Sequence, residues 1–337
     1  MRILILDIYY EPFLKNFYED YDSGSRIYSE TILNLLSRSF GTADFYSENL
    51  TRLGETAQDI IINDKILQTK WAEEHGETRW LDWADNFHFP YSKRFFKSHW
   101  QEEILEKQIL DFRPDVIYCQ SLAVPGPTFL KKVKSLLPVL VVGQIASPIT
   151  FDQELLNHFD LILTSFPHFV NRFRRLGIKS EYFRIGFEER VLGRVHKTKE
   201  QYDVSFVGGF SRNHNNDLVV DAATDIWGYG FKHKNYTPEI SRKYHGEAWG
   251  IDMYNILYNS KITLNRHINV AEDHANNMRL FEATGVGTML ITDFKSDLHK
   301  LFIPGKEIET YKTPEELREK VKYYLAHESD REKIAKA

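Results

Sequence analysis

Residues 261–293 read KITLNRHINVAEDHANNMRLFEATGVGTMLITD. An apolar run, KITLN at 261–265, enters a polar loop. A segment with helical spacing follows from about Asn276, then two glycines and a second apolar run, TMLITD at 288–293. Strand, helix and strand in that order form the repeating unit of a parallel sheet. The loop ahead of the helix is crowded with Asp, His and Asn. It reads either as an elaborate helix cap or as a ligand site built on a helix N-terminus.

The same alternation extends outward from this unit. The second half adds DVSFVGG (203–209), DIWGYG (225–230) and EIETY (307–311). The first half carries RILIL (2–6), DVIYC (115–119), VLVVGQI (139–145) and LILTS (161–165). Of these, DVIYC and VLVVGQI are nearly continuous apolar runs, as expected for strands buried on both faces. Helical spacing occupies 25–37 and 100–111, and Pro114 stops the latter. Residues 49–100, rich in Trp and acidic side chains, read as helix and loop inserted into the first sheet. The charged run RVHKTKEQY at 194–202 marks a linker. The expected division is a domain at 1–187, a linker at 188–201 and a domain at 202–337, both doubly wound α/β.

The chain has 337 residues, 42% of them apolar and 27% charged, with a net charge of −5. Neither half carries a basic excess, so nucleic acid is not an expected partner. Aromatics reach 14%, which suits large cores and flat ligands. Cys119 is the sole cysteine and excludes an internal disulfide. Asp7 interrupts the N-terminal apolar run, which reads as a strand and not as a leader. No apolar run reaches membrane-spanning length. The expected location is the cytoplasm. The aromatic and basic stretch YSKRFFKSHW (91–100) is a candidate for peripheral contact with the inner membrane face, against a helix packed on its Phe side.

In open α/β sheets, ligands bind beyond the carboxyl ends of the strands. In the second domain this rule selects four loops. Gly208 and Gly209, followed by Arg212, form either a plain turn or a phosphate-facing loop; the dinucleotide fingerprint is absent. Asn265, Arg266 and His267 end one strand. His267 and His274 lack zinc-like spacing, and no metal is expected. Arg279 and Glu282, three apart, share a helix face. They form either an exposed ion pair worth about 0–1 kcal/mol or a site in which Arg meets a diphosphate and Glu a ribose diol.

From HGEAWGIDMYNILYNSKITLNRH through RLFEATGVGTMLITD, and on through DLHKLFIPGKEIETYKTPEELREKVKYYL, the chain resembles group-1 glycosyltransferases of the spore-maturation (CgeB-like) type. GTADFYSENLTRLG and VVGQIASPI extend the resemblance to the first half. The resemblance implies the GT-B fold, with two tandem Rossmann-like domains facing across a cleft, acceptor side first. It implies transfer of a hexosyl or related group from a nucleoside-diphosphate sugar to a glycan, lipid-linked or protein acceptor, without cofactor or metal.

Residue by residue, it places Glu282 on the donor ribose, Arg279 on the diphosphate and the Gly208–Gly209 loop beside the phosphates. Tyr229 and Trp249 fall near the base. Asn265, Arg266, Asn276 and Asn277 complete the donor set. Catalytic candidates are Arg279, His274 and, on the acceptor side, Asp7 or a loop group near Tyr9, Tyr10 or Gln144.

One departure from the family stands out. His274 occupies the position, eight before the ribose glutamate, where retaining members carry a sugar-contacting Glu; Glu272 and Asp273 are the nearby substitutes. Stereochemistry is therefore open, and two alternatives stand: a non-catalytic sugar-nucleotide or partner-binding module, and a sugar-nucleotide epimerase. The ending EKIAKA comes where such proteins continue into helices returning to the first domain, which implies a truncated chain or one part of a larger polypeptide.

Overall fold

The computed structural model describes residues 1–24, 26–77, 100–150, 152–199, 201–210, 216–233 and 235–337. The chain divides into two units. The first comprises Met1–Ile145, Ile149–Thr164 and His168–Tyr182; the second comprises Phe183–Ala337 with Ala146–Pro148 and Ser165–Pro167. Among the described residues, no helix is long and apolar enough to cross a membrane.

In the first unit, strands β1 (Arg2–Asp7), β2 (Thr56–Ile61), β3 (Val116–Cys119), β4 (Leu140–Ile145), β5 (Leu161–Thr164) and β6 (Ser180–Tyr182) form one sheet in the order β2-β1-β3-β4-β5-β6. Each adjacent pair is parallel. Two of these strands were not expected. In TAQDII (56–61), polar Thr56 and Gln58 alternate with the apolar positions, and β6 is only three residues long. Both are edge strands, and edge strands need no continuous apolar run. The helix at Lys65–Glu74 starts where the Asp64 carboxylate accepts from the Leu67 N–H at 3.0 Å. Residues 78–99, including most of the aromatic-basic stretch, lie outside the described residues.

The register fixes one chemically distinctive face. Ile5 pairs with Asp59 and with Tyr118, Asp7 with Ile61, and Tyr118 with Val142. Side chains two apart share a face, so Asp7, Asp59, Tyr118 and Gln144 stand together. The helix Phe45–Arg52 lies over them. Its Ser47 hydroxyl donates to Asp59, and its Tyr46 hydroxyl donates to Gln144 Oε1 at 3.3 Å, an atom that also accepts from Tyr118.

Asp59 has no cationic partner among the described residues. Burial pushes its carboxyl up to about 7, while the Ser47 hydrogen bond pulls the other way. The sign of the effect follows. Between about pH 4 and 7 the folded state holds a proton that the unfolded state releases, so stability falls as pH rises. Asp59→Asn should remove that loss. Its advantage over the wild type in urea denaturation should grow by about 1.4 kcal/mol per pH unit over that window and level off above 7. A pH-independent difference would contradict the assignment.

In the second unit, β7 (Tyr202–Val207), β8 (Asp225–Trp227), β9 (Ser260–Asn265), β10 (Met289–Asp293) and β11 (Glu309–Tyr311) are ordered β11-β10-β9-β7-β8, again parallel. Val204, Phe206, Ile262, Leu264 and Ile291 build the core under this sheet. The opening stretch folds as its pattern predicts, into β9, a polar loop, the helix Met278–Gly285 and β10. Leu280 and Ala283 are fully buried against Leu290, Leu298 and Ile308. Gly287, at φ +79°, makes the return that a β-carbon would strain. Because the strands are parallel, Val207, Trp227, Asn265 and Asp293 bring their carboxyl ends to one edge.

Candidate functional site

The helix Met278–Gly285 begins at that edge. Its N-cap, Asn277, places no side-chain oxygen on the helix amides. Instead Asn277 Nδ2 donates to Asn265 Oδ1 at 2.8 Å, and Asn265 Nδ2 returns a bond to Asn277 Oδ1 at 3.2 Å. Asn265 also donates to Thr292 Oγ1 at 2.9 Å. The polar residues ahead of the helix thus tie it to the ends of β9 and β10 and leave the first amides uncapped, a favourable place for an anion. Asn276 is buried and donates to Ser165 Oγ at 3.1 Å.

Arg279 and Glu282 do share a face, but it is not an exposed one. Their side chains are only 12% and 11% exposed, and Arg279 Nη1 meets Glu282 Oε2 at 2.7 Å. Nη1 also lies 3.0 Å from Met253 Sδ, and Nη2 donates to the Val207 carbonyl at 3.1 Å. Burial pushes the Glu282 carboxyl up, and Arg279 pulls it back part of the way. Removing one partner of such a buried pair typically costs about 3–5 kcal/mol, well above the value of a surface bridge. The reading as a surface ion pair is therefore set aside.

Gly208 and Gly209 follow β7 and owe their identity to packing. Gly208 N donates to the Trp227 carbonyl at 3.0 Å, and the Gly209 carbonyl accepts from Asn216 Nδ2 at 2.7 Å. A β-carbon on Gly209 would fall 2.6 Å from the Tyr229 hydroxyl. On Gly228, at φ +148°, it would fall 1.7 Å from the Gly208 carbonyl oxygen. Gly228→Ala should therefore push the two loops apart and cost about 1–3 kcal/mol or more, read as a lower melting temperature; a neutral substitution would show that the loops do not touch. Tyr229 stacks on Trp249 with ring centroids 5.7 Å apart. Arg212 lies outside the described residues. Arg266 follows β9, beside Tyr311.

His274 is half-buried, with Nδ1 2.7 Å from Asp297 Oδ2; Asp297 Oδ1 accepts from the Ala275 N–H at 2.8 Å. Glu272 adopts φ +52°, uncommon for a residue with a β-carbon, and Lys295 Nζ donates to its carbonyl at 2.6 Å. Asp273 is exposed, and the Ser296 hydroxyl, together with the Ser296 N–H at 3.2 Å, holds its carboxyl below the usual range.

In the first unit, Asp7 ends β1 with Oδ1 accepting from the Ile8 N–H at 2.8 Å, and burial pushes its carboxyl up to about 7. Tyr9 is a core residue, whereas Tyr10 is exposed.

Sequence reasoning missed a second histidine pairing. Nδ1 of buried His267 lies 2.7 Å from Asp293 Oδ1, which also accepts from the His267 N–H at 2.9 Å. Lys295 approaches Asp293 at 3.5 Å. The two partners are 26 positions apart, and only the register of β9 beside β10 brings them together. The signal available in the sequence was a polar residue at the end of each of two adjacent strands.

Residues 212–337 match a family model described as glycosyl transferase-like. No curated protein matches the chain. Among solved structures, HepE from Anabaena in complex with UDP-glucose matches with a TM-score of 0.58 and 13% identity, covering 99% of this chain and 92% of that one. Sucrose-phosphate synthase from Thermosynechococcus elongatus gives 0.57 and 10% identity, with 100% and 92% covered. A glycosyltransferase from Rickettsia africae gives 0.56 and 12% identity, with 99% and 91% covered. At these identities the likeness is one of fold. The chain has the GT-B architecture, two Rossmann-like parallel-sheet domains in tandem.

Proposed function

We propose that this protein is a glycosyltransferase using a nucleoside-diphosphate sugar, with the donor held by the second unit. The observation that carries this reading is the buried Glu282 carboxylate, fixed at 2.7 Å by Arg279 beside an uncapped helix start at the strand ends. A carboxylate so placed suits a ribose diol, and free helix amides suit a diphosphate. The family match over 212–337 and the UDP-glucose complex of the HepE neighbour support the same ligand class.

The departing diphosphate is stabilised by those amides together with Arg266 and Arg212, and no metal is required. Fixed donors aimed at developing charge are commonly the largest catalytic contribution. Tyr229 and Trp249 offer a flat surface to the base. Asp7, near half-ionisation at neutral pH, is the acceptor-side base for a glycan, lipid-linked or protein hydroxyl. The resemblance over 244–293 supports a CgeB-like type within that class.

One observation favours a second reading. His274 stands where a sugar-contacting carboxylate was expected and is engaged with Asp297 at 2.7 Å. A module that binds the nucleotide without turnover would fit that substitution. Thermal-shift measurements with UDP, GDP, TDP and CMP and their sugars test both readings. Stabilisation by one nucleotide class is expected, followed by release of free nucleotide when an acceptor is supplied. Binding without release supports the module. An isomerised sugar nucleotide as sole product supports an epimerase. No stabilisation by any of them removes the donor assignment.

A further inference from the structure

Arg279 holds three groups from three elements. Nη1 reaches Glu282 Oε2 on its own helix and Met253 Sδ on the helix Gly250–Tyr258, and Nη2 reaches the carbonyl that ends β7. Of its remaining donors, Nε is buried and has no partner among the described residues. A guanidinium in this setting is a poor ligand for an incoming phosphate. Turning toward the anion would abandon the Val207 carbonyl and leave Glu282 unpaired below the surface, two losses for one gain. Glu282, by contrast, keeps Oε1 free of hydrogen bonds among the described residues while Oε2 is held.

We propose that Arg279 is a positioning residue that acts through Glu282, setting the carboxylate against the end of β7 so that Oε1 is presented to a vicinal diol, and that it does not bind the diphosphate. This rests on the reading of Glu282 as the ribose contact. It assigns the two residues to one part of the ligand, the nucleoside, and leaves the phosphates to backbone amides and other cations. Tyr254, which burial keeps protonated, faces both Glu282 and Arg279, and Glu188, itself engaged with Arg190 at 2.8 Å, faces Tyr254 in turn.

The proposal separates cleanly from direct phosphate contact when nucleoside and nucleotide are compared. Calorimetric titration of the full chain, wild type and Arg279→Met, would use uridine against UDP and guanosine against GDP. The expected result is a loss of about ten- to hundredfold for whichever pair binds, equal for the nucleoside and its diphosphate. Arg279→Lys, which keeps the charge but loses the planar fork, should recover only part of it. Glu282→Gln combined with Arg279→Met should be little worse than either alone. A variant that loses affinity for the diphosphate but not for the nucleoside would overturn the proposal.

A ligand-free measurement keeps the two readings apart. In a carboxyl-carbon NMR titration, Arg279→Met should move the Glu282 titration to higher pH. A titration that does not move would overturn the positioning role even if nucleotides bind. If the titration moves but wild-type protein binds neither pair, the nucleotide reading fails, and with it the role assigned to the diol.

Discussion

Replacing Asp7 by Asn lowers turnover by about 10²–10⁴-fold, the range expected for losing a general base, while donor affinity stays within about twofold. The expectation rests on where Asp7 sits and what surrounds it. It is the last residue of β1, at the sheet edge where ligands of open α/β folds bind. Its backbone neighbour Ile8 supplies a hydrogen bond at 2.8 Å that favours the ionised form, but burial outweighs it and leaves the carboxyl near 7. A base of that strength is half-ionised at neutral pH and can accept a hydroxyl proton as the bond to the sugar forms.

The wild-type rate should accordingly rise with pH through about 7 and then level, because only the ionised form accepts a proton. That inflection should be missing from Asp7→Asn. Asp59, pushed to a similar range on the same sheet face, calls for a control. Asp59→Asn should leave the rate inflection in place while altering stability. A base on the acceptor side suits a single displacement, in which the acceptor hydroxyl loses its proton as the sugar–phosphate bond breaks and the anomeric carbon inverts. A retained product formed at undiminished rate by Asp7→Asn would remove Asp7 from the mechanism.

Glu282→Ala weakens donor binding by about ten- to hundredfold, from the loss of a charge-assisted hydrogen bond worth roughly 1.5–3 kcal/mol. Here the folded state responds as well. The substitution leaves Arg279 in place with its guanidinium short of a counter-charge, so the melting temperature should fall together with affinity. Glu282→Gln separates the two effects. The amide keeps an acceptor for Arg279 and nearly the same side-chain volume, yet carries no charge toward the ligand. It should retain more stability than Glu282→Ala while binding the nucleotide poorly. Full affinity in a folded Glu282→Gln protein would mean that the carboxylate does not contact the donor.

Much of the architecture follows from local pattern. β1, β3, β4, β5, β7, β9 and β10 are legible as largely apolar runs; burial is nearly continuous along β1, β7, β9 and β10, but it alternates along β3, β4 and β5, so β3 and β4 are not fully buried on both faces as their composition suggested. β2 and β6 were not legible, since polar Thr56, Gln58 and Asp59 interrupt the first and the second, Ser180–Tyr182, has no apolar run. The site divides along similar lines. Asn265, Asn277, Arg279 and Glu282 lie within 18 positions of one another, and helical spacing plus the strand-end rule brings them together on paper. His267 with Asp293, and His274 with Asp297, are pairs across 26 and 23 positions, and no local period announces them.

Local pattern is enough to specify two parallel-sheet domains and a polar loop and short helix crowning the second of them. That information is local, because it resides in the periodicity of burial and in the glycines that permit the turns. What the polar residues do there depends on long-range packing. Whether Arg279 and Glu282 form a solvated ion pair or a buried one depends on the end of β7 and on Met253, more than 20 positions away in the chain. Burial, more than spacing, pushes up the carboxyls of Glu282 and Asp7, and burial arises from neighbours that the sequence leaves distant.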